Sequence, residues 1–291
     1  EVIAATEQAK ANVKISHLKI RHKENWALLP DVLAELESAW HRGANIHFDV
    51  YPYTSTWQAL YTYLPTWATM GGRLQLIELL RNPTQRAKVL SSLNTSSANI
   101  PELIIASTSA KLMVTGKKMS AVAANFGTTS EEALLHLIEN GGSEILVFDT
   151  SLSEEVVNTF CNHSLSFIAT NGSGYSTDDV SRLVHPRCFG TAPKFLHNIV
   201  KSQAISLPEA IRKLTSGPAK KVGIKDRGTI AVNNKADLVL LDISKVNSEA
   251  SLQNPFQYAD GVLGVWVNGQ RVVVNSAVTG TKAGKFLTKD A

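Results

Sequence analysis

His17 and Lys19 stand two residues apart in "KISHLKI", a segment whose apolar residues alternate, so that on a strand both side chains share one face. An imidazole and an ammonium at such a strand's end suit metal ligation and anion binding; a buried histidine satisfied by backbone groups fits the same spacing. His47 and Asp49 alternate likewise in "ANIHFDVYPY", as a second metal-binding pair or as a structural pair. "SFIATNGSGY", residues 166–175, runs from apolar residues to Asn171 before a glycine-rich turn, the pattern by which a strand delivers a polar side chain to an active-site rim. A hydrolase that activates water needs a base in that place, and an asparagine amide cannot accept the proton. Beyond that loop, His185-Pro186-Arg187 presents a guanidinium suited to bidentate carboxylate recognition, although a surface role fits a lone arginine as well. His22, His41, His136, His163 and His197 fall on helical or loop stretches without partners and read as structural.

Other chemistries lack their signatures. "NGSG" has neither the Lys-Ser/Thr of a P-loop nor the spacing of a dinucleotide fingerprint, and there is no Gly-x-Ser-x-Gly elbow. Metal-assisted hydrolysis is what remains. The 291 residues are 44% hydrophobic and 19% charged, enough for a full core. The net charge is +4, but Lys and Arg are scattered, which argues against a nucleic acid partner. Two cysteines, Cys161 and Cys188, make no disulfide framework, so a cytoplasmic location is expected. No apolar run approaches the ~20 residues of a membrane span, and no signal peptide opens the chain. The opening, "EVIAATEQAK", lacks methionine and lies inside a helical pattern, which reads as part of something longer.

These residues need elements to hold them. A strand is expected from Ile15 to Ile20, a helix from Leu28 to Arg42 and a second strand in "ANIHFDVYPY", an alternation that argues parallel β/α units. From Trp57 to Leu112 the pattern changes to aromatics, a Gly71-Gly72 pair and a Ser/Asn-rich stretch, as in an inserted lid. Regular β/α order is expected to resume with "PELIIAST" and "SEILVFDT", followed by a helix at Glu154–Asn162 and the strand before Asn171. From Asp226 onward, "GTIAVNNKADLVLLD" and "GVWVNGQRVVV" alternate like antiparallel strands around an Asn268-Gly269 hairpin. The expected fold is α/β, the C-terminal part of a distorted β/α barrel. Its divisions are barrel strands at 1–56, a lid at 57–112, barrel remainder at 113–225 and a small β domain at 226–291.

"KISHLKI", "DVYPYTST", "LPTWATMGG", "IATNGSG", "HPRCFGTAPKFL", "AIRKLTSGPAKKVGIKDRGTI", "KADLVLLD", "NPFQY" and "VWVNGQRVV", in that order, resemble the C-terminal portion of the N-acyl-D-amino-acid deacylases (D-aminoacylases) of the amidohydrolase superfamily. The resemblance implies a Zn2+-dependent distorted barrel with a small β-sandwich and a lid, hydrolysing the amide of N-acyl-D-amino acids. By position it implies a zinc-ligand role for His17, a place near the substrate for Lys19, contact with the reacting group for Tyr51 and substrate carboxylate binding for Arg187. Asn171 falls where the family has its catalytic aspartate. Three further departures accompany it: the remaining zinc donors would fall before residue 1, Trp57 displaces a serine, and Phe256 replaces a histidine. Activity of this chain is therefore expected to be impaired. A catalytically inactive homologue binding a small acylated amino acid, and an assembly subunit paired with its missing N-terminal segment, stay open beside the enzyme.

Overall fold

A computed structural model describes residues 1–107, 114–141, 144–178 and 182–288. Helix α1 (Val2–Ala9) leads to strand β1 (Val13–Ile15), helix α2 (Leu29–His41) and strand β2 (Ile46–Val50). Pro30 and Asp31 start α2, where a missing N–H and a negative charge are both favourable, and Gly43 ends the turn beyond it at φ +94°. Strand β3 (Thr56–Ala59) and helices α3 (Thr66–Thr69), α4 (Gly72–Arg81) and α5 (Pro83–Asn94) follow. Then come β4 (Ile104–Ser107), α6 (Met119–Phe126), α7 (Ser130–Gly141), β5 (Leu146–Asp149), α8 (Glu154–Asn162) and β6 (Ser166–Ile168). Helices α9 (Arg187–Ser202), α10 (Leu207–Leu214) and α11 (Ser216–Lys221) precede β7 (Leu238–Leu241), β8 (Val262–Val267), β9 (Gln270–Val274) and β10 (Ala277–Val278).

The described strands form three sheets, and they do not close a barrel. One sheet is parallel, in the order β1-β2-β6, with Lys14 opposite His47 and Asp49 opposite Phe167. Alternation on β2 sorts its side chains. Ile46, Phe48 and Val50 go to a core shared with Leu36 of α2, Phe160 of α8 and Phe195 and Ile199 of α9, while His47 and Asp49 take the opposite face. The expected strand to Ile20 stops at Ile15. Asp49 Oδ1 accepts the His17 N–H at 2.5 Å and draws residue 17 into a left-handed turn at φ +40°.

The parallel order expected to resume at "PELIIAST" and "SEILVFDT" is also corrected. Those segments are β4 and β5, which pair antiparallel with each other and with β3 around a second apolar core containing Leu60, Ile105, Leu134 and Val147. A buried four-residue apolar run has no signature of strand direction, which explains the difference. The expected boundary at Leu112 lies outside the described residues. The third sheet is antiparallel, β10-β9-β8-β7, as expected, with Asn268 and Gly269 both at positive φ in the β8–β9 hairpin. Of "GTIAVNNKADLVLLD" only Leu238–Leu241 is strand. Among the described residues no helix is long and apolar enough to cross a membrane.

Candidate active site

The C-terminal ends of the parallel strands bring one cluster of side chains together. His17 and Lys19 follow β1, Tyr51 follows β2 directly, and Asn171 lies three residues past β6. Lys19 Nζ is 3.3 Å from His17 Nδ1 and 5.3 Å from the centre of the Tyr51 ring. The Arg187 guanidinium stands 4.9 Å from the same ring and 5.7 Å from that of Trp57, and its Nε donates to the Asn171 carbonyl at 3.0 Å. All five residues singled out by the sequence are thus brought together. His17 and Lys19 meet through a turn rather than along one strand face.

The electrostatics are dominated by cations. Arg187 is 4% exposed, and no carboxylate among the described residues pairs with it. Burial, helped by the charges of Arg187 and Arg21, lowers Lys19 to about 8. Burial and the neighbouring Lys19 lower the His17 imidazole, so it sits there neutral at ordinary pH. Tyr51 is 2% exposed, and its hydroxyl lies beside the Arg187 guanidinium. Burial raises its pKa against the opposing pull of Arg187, so it offers a neutral O–H to whatever enters.

Several residues that support the pocket were not legible as such. Fully buried His185 accepts the Arg187 N–H on Nδ1 at 3.1 Å, which leaves the proton on Nε2 facing the Ser55 carbonyl at 3.1 Å and hydroxyl at 2.9 Å. Its placement at the start of α9 fixes where Arg187 leaves the backbone; the only signal was its position two residues before an arginine. His47 and Asp49 share a face but not a task. Asp49 holds the His17 N–H and pairs with Lys14, whereas His47 stacks on Phe167 at 4.8 Å with Trp40 edge-on at 5.0 Å. The structural alternative is the one these contacts favour. Phe256 packs against Phe189 at 5.6 Å.

The donors present do not fit a zinc centre by themselves. Among the described residues no group of three or more His, Cys, Asp or Glu is placed to hold a metal ion, and zinc wants four donors. The Nδ1 of His17 already faces the Lys19 ammonium.

Comparison with known proteins finds similarity to amidohydrolases. The amidohydrolase family model matches residues 190–273. An N-acyl-D-aspartate deacylase of Alcaligenes xylosoxydans xylosoxydans is 32% identical over 159 residues, 54% of this chain and 30% of that protein. An N-acyl-D-glutamate deacylase of the same organism is 25% identical over 293 residues, covering 100% of this chain and 51% of its own length. Among solved structures, a D-aminoacylase superposes with a TM-score of 0.74 at 22% identity, over 97% of this chain and 51% of that one. The N-acyl-D-glutamate deacylase from Bordetella bronchiseptica, solved with zinc and a phosphonate mimic of the tetrahedral intermediate, gives 0.73 at 21% identity, over 93% and 48%. At those identities the solved structures establish the fold alone. The chain spans about half the length of these last three proteins.

Proposed function

We propose that this chain, which matches the amidohydrolase family model over residues 190–273 and is similar to D-aminoacylases and N-acyl-D-amino-acid deacylases of which it covers about half or less, carries the substrate-binding part of a D-aminoacylase-type pocket with hydrolysis impaired. The observation that carries this reading is a buried arginine with no acidic partner among the described residues, stacked on Tyr51 beside Lys19. A buried, unpaired guanidinium is costly unless a ligand supplies the counter-charge, and the carboxylate of an N-acyl-D-amino acid has the matching planar fork. In this proposal Arg187 binds that carboxylate, and the Tyr51 hydroxyl donates to the acyl carbonyl. Asn171, at the family's aspartate position, cannot relay a proton, and the donors among the described residues do not by themselves fit a metal. The distorted barrel belongs to the same proposal. So does a lid, which the antiparallel pairing supports drawing from Thr56 to Asp149, with Trp57 against Arg187.

Titrating the chain calorimetrically with N-acetyl-D-alanine and its L enantiomer tests this. The D form is expected to bind better, and Arg187→Ala to weaken it by about 10- to 100-fold, the scale of a lost charge-assisted hydrogen bond. Binding unchanged by Arg187→Ala would overturn the proposal. Binding without turnover is the second reading, favoured by Asn171 and the donor set. A deacylation rate that appears with Zn2+ only in Asn171→Asp marks an impaired hydrolase, and none in either form marks a binding protein.

A further inference from the structure

The parallel strands have a cavity at their other ends. It holds about 620 Å³, within the roughly 300–1,000 Å³ range of small-molecule sites, and opens among the residues that precede β1, β2 and β6. One wall is aromatic. His47 and Phe167 stack at 4.8 Å, Trp40 stands edge-on to His47 at 5.0 Å, and this indole is 42% exposed. Another wall is cationic, formed by Arg212 of α10 and by Lys220 and Lys221 at the end of α11. Gly217 lets the two walls meet, since a Cβ there would lie 2.9 Å from both Phe167 Cε1 and Arg212 Nη1. No acidic side chain lines the cavity among the described residues.

These cations differ in what they have left to give. Arg212 presents Nε and Nη2 to the two oxygens of Glu209 at 2.6 and 2.7 Å, so its fork is occupied. Lys221 is 8% exposed and has no carboxylate partner among the described residues. Its Nζ donates to the Asn45 carbonyl and to Asn45 Oδ1, both at 2.8 Å, which leaves the third donor of the ammonium. Burial lowers its pKa to about 8, so it is still a cation at neutral pH. The Lys220 ammonium is exposed, and no hydrogen bond or ion pair holds it among the described residues. A carboxylate is best met by a free guanidinium fork, and none is left here. Two neighbouring point charges suit the compact double charge of a phosphate monoester.

We propose that this cavity is a second binding site, for a phosphate monoester carried on a flat aromatic ring system such as a nucleoside monophosphate, with the phosphate on Lys220 and Lys221 and the ring on Trp40. Stacking on the indole supplies affinity that a pair of lysines alone does not. The site is independent of the acyl-amino-acid reading, because it shares no residue with the cluster at the C-terminal ends of the strands.

Calorimetric titration of the full chain with adenosine monophosphate, adenosine and inorganic phosphate tests this. The nucleotide is expected to bind at least about tenfold tighter than either fragment, the scale of one charge-assisted hydrogen bond or one stacked base. Lys220→Ala, an exposed change to a good helix former, is expected to weaken the nucleotide by about 5- to 20-fold and leave adenosine within about twofold. Trp40→Ala is expected to weaken nucleotide and nucleoside alike by about 5- to 50-fold and leave phosphate unchanged. A nucleotide no tighter than adenosine or phosphate, or an affinity that survives either substitution, overturns the proposal. So does an absence of binding at millimolar nucleotide, which leaves Lys220 and Lys221 as cations that complement a helix end. Nucleotide binding lost in Arg187→Ala would put the phosphate in the first cluster and overturn it as well.

Discussion

His185 shows how one buried side chain can fix the placement of another, since its Nδ1 accepts the Arg187 N–H. Its ring is fully buried, and burial together with the nearby Arg187 charge pushes its pKa down to about 3. The unfolded imidazole titrates near 6.5, so between those values the unfolded chain binds a proton that the folded chain refuses. The stability this provides is complete above about pH 6.5 and is lost as pH falls toward 3, at up to roughly 1.4 kcal/mol per pH unit. Urea denaturation at pH 7 and pH 5 is expected to show that loss, and His185→Leu to show a smaller one over the same window. An unchanged pH dependence in the variant would mean that other groups carry it. The sequence marked Arg187 but not this support, because a hydrogen bond from Arg187 N–H to a ring two residues back is set by the turn, and a turn of that kind has no residue signature. Asp49 was half legible: alternation gave its face, whereas its partners, Lys14 and the His17 N–H, depend on where β1 ends.

At the scale of elements, the pocket is made by close approach between the loop after β6 and the first turn of α9. Asn171 adopts φ +44°, a conformation that asparagine tolerates better than most residues. Gly172 lies directly on the helix. A Cβ there would sit 2.8 Å from Cys188 Sγ and 3.1 Å from its Cα, and the second of these contacts is with backbone. Gly172→Ala is therefore expected to push the Asn171 loop off Arg187, at a cost of about 1–3 kcal/mol in stability by overpacking. Ligand affinity should fall as well, because the Asn171 backbone carbonyl accepts from Arg187 Nε and helps to hold the guanidinium in place. Denaturation and calorimetry on the same variant check both; normal affinity would show that the loop is not what aims the guanidinium. The helices were the most legible elements: α8 lies where its pattern put it, and Ser206 Oγ caps α10 by accepting the Glu209 N–H at 3.3 Å. The strands β4 and β5 were legible as strands but not in direction, since parallel and antiparallel neighbours leave the same mark on short buried runs.

For the whole molecule the question is what keeps two apolar cores in one register, since the pocket draws Arg187 and Tyr51 from one side and Trp57 from the other. Core packing alone leaves the two sheets free to shift against each other; the specific tie is polar. Arg21 follows β1, yet its Nη2 meets Asp149 at the end of β5, and Tyr63 donates to the same Oδ2 at 2.8 Å. Asp149 is 7% exposed and its negative charge pushes the Tyr63 hydroxyl, already raised by burial, further up. Backbone bonds from His22 to the Ser151 carbonyl and from Leu152 to that of Thr54 run alongside. Removing one member leaves a buried charge unpaired, whereas removing both removes the cost with the benefit. Asp149→Leu is expected to lose about 1–3 kcal/mol, and Arg21→Met with Asp149→Leu to lose clearly less than the sum of those two changes made singly. A double-mutant cycle by urea denaturation reads the coupling, and ligand titration on the same four proteins reads its reach. If the tie sets the register, the single variants bind ligand more weakly even where they are fully folded. Strict additivity in stability, with affinity untouched, would show that the sheets are held by packing alone and that the pocket owes nothing to Arg21.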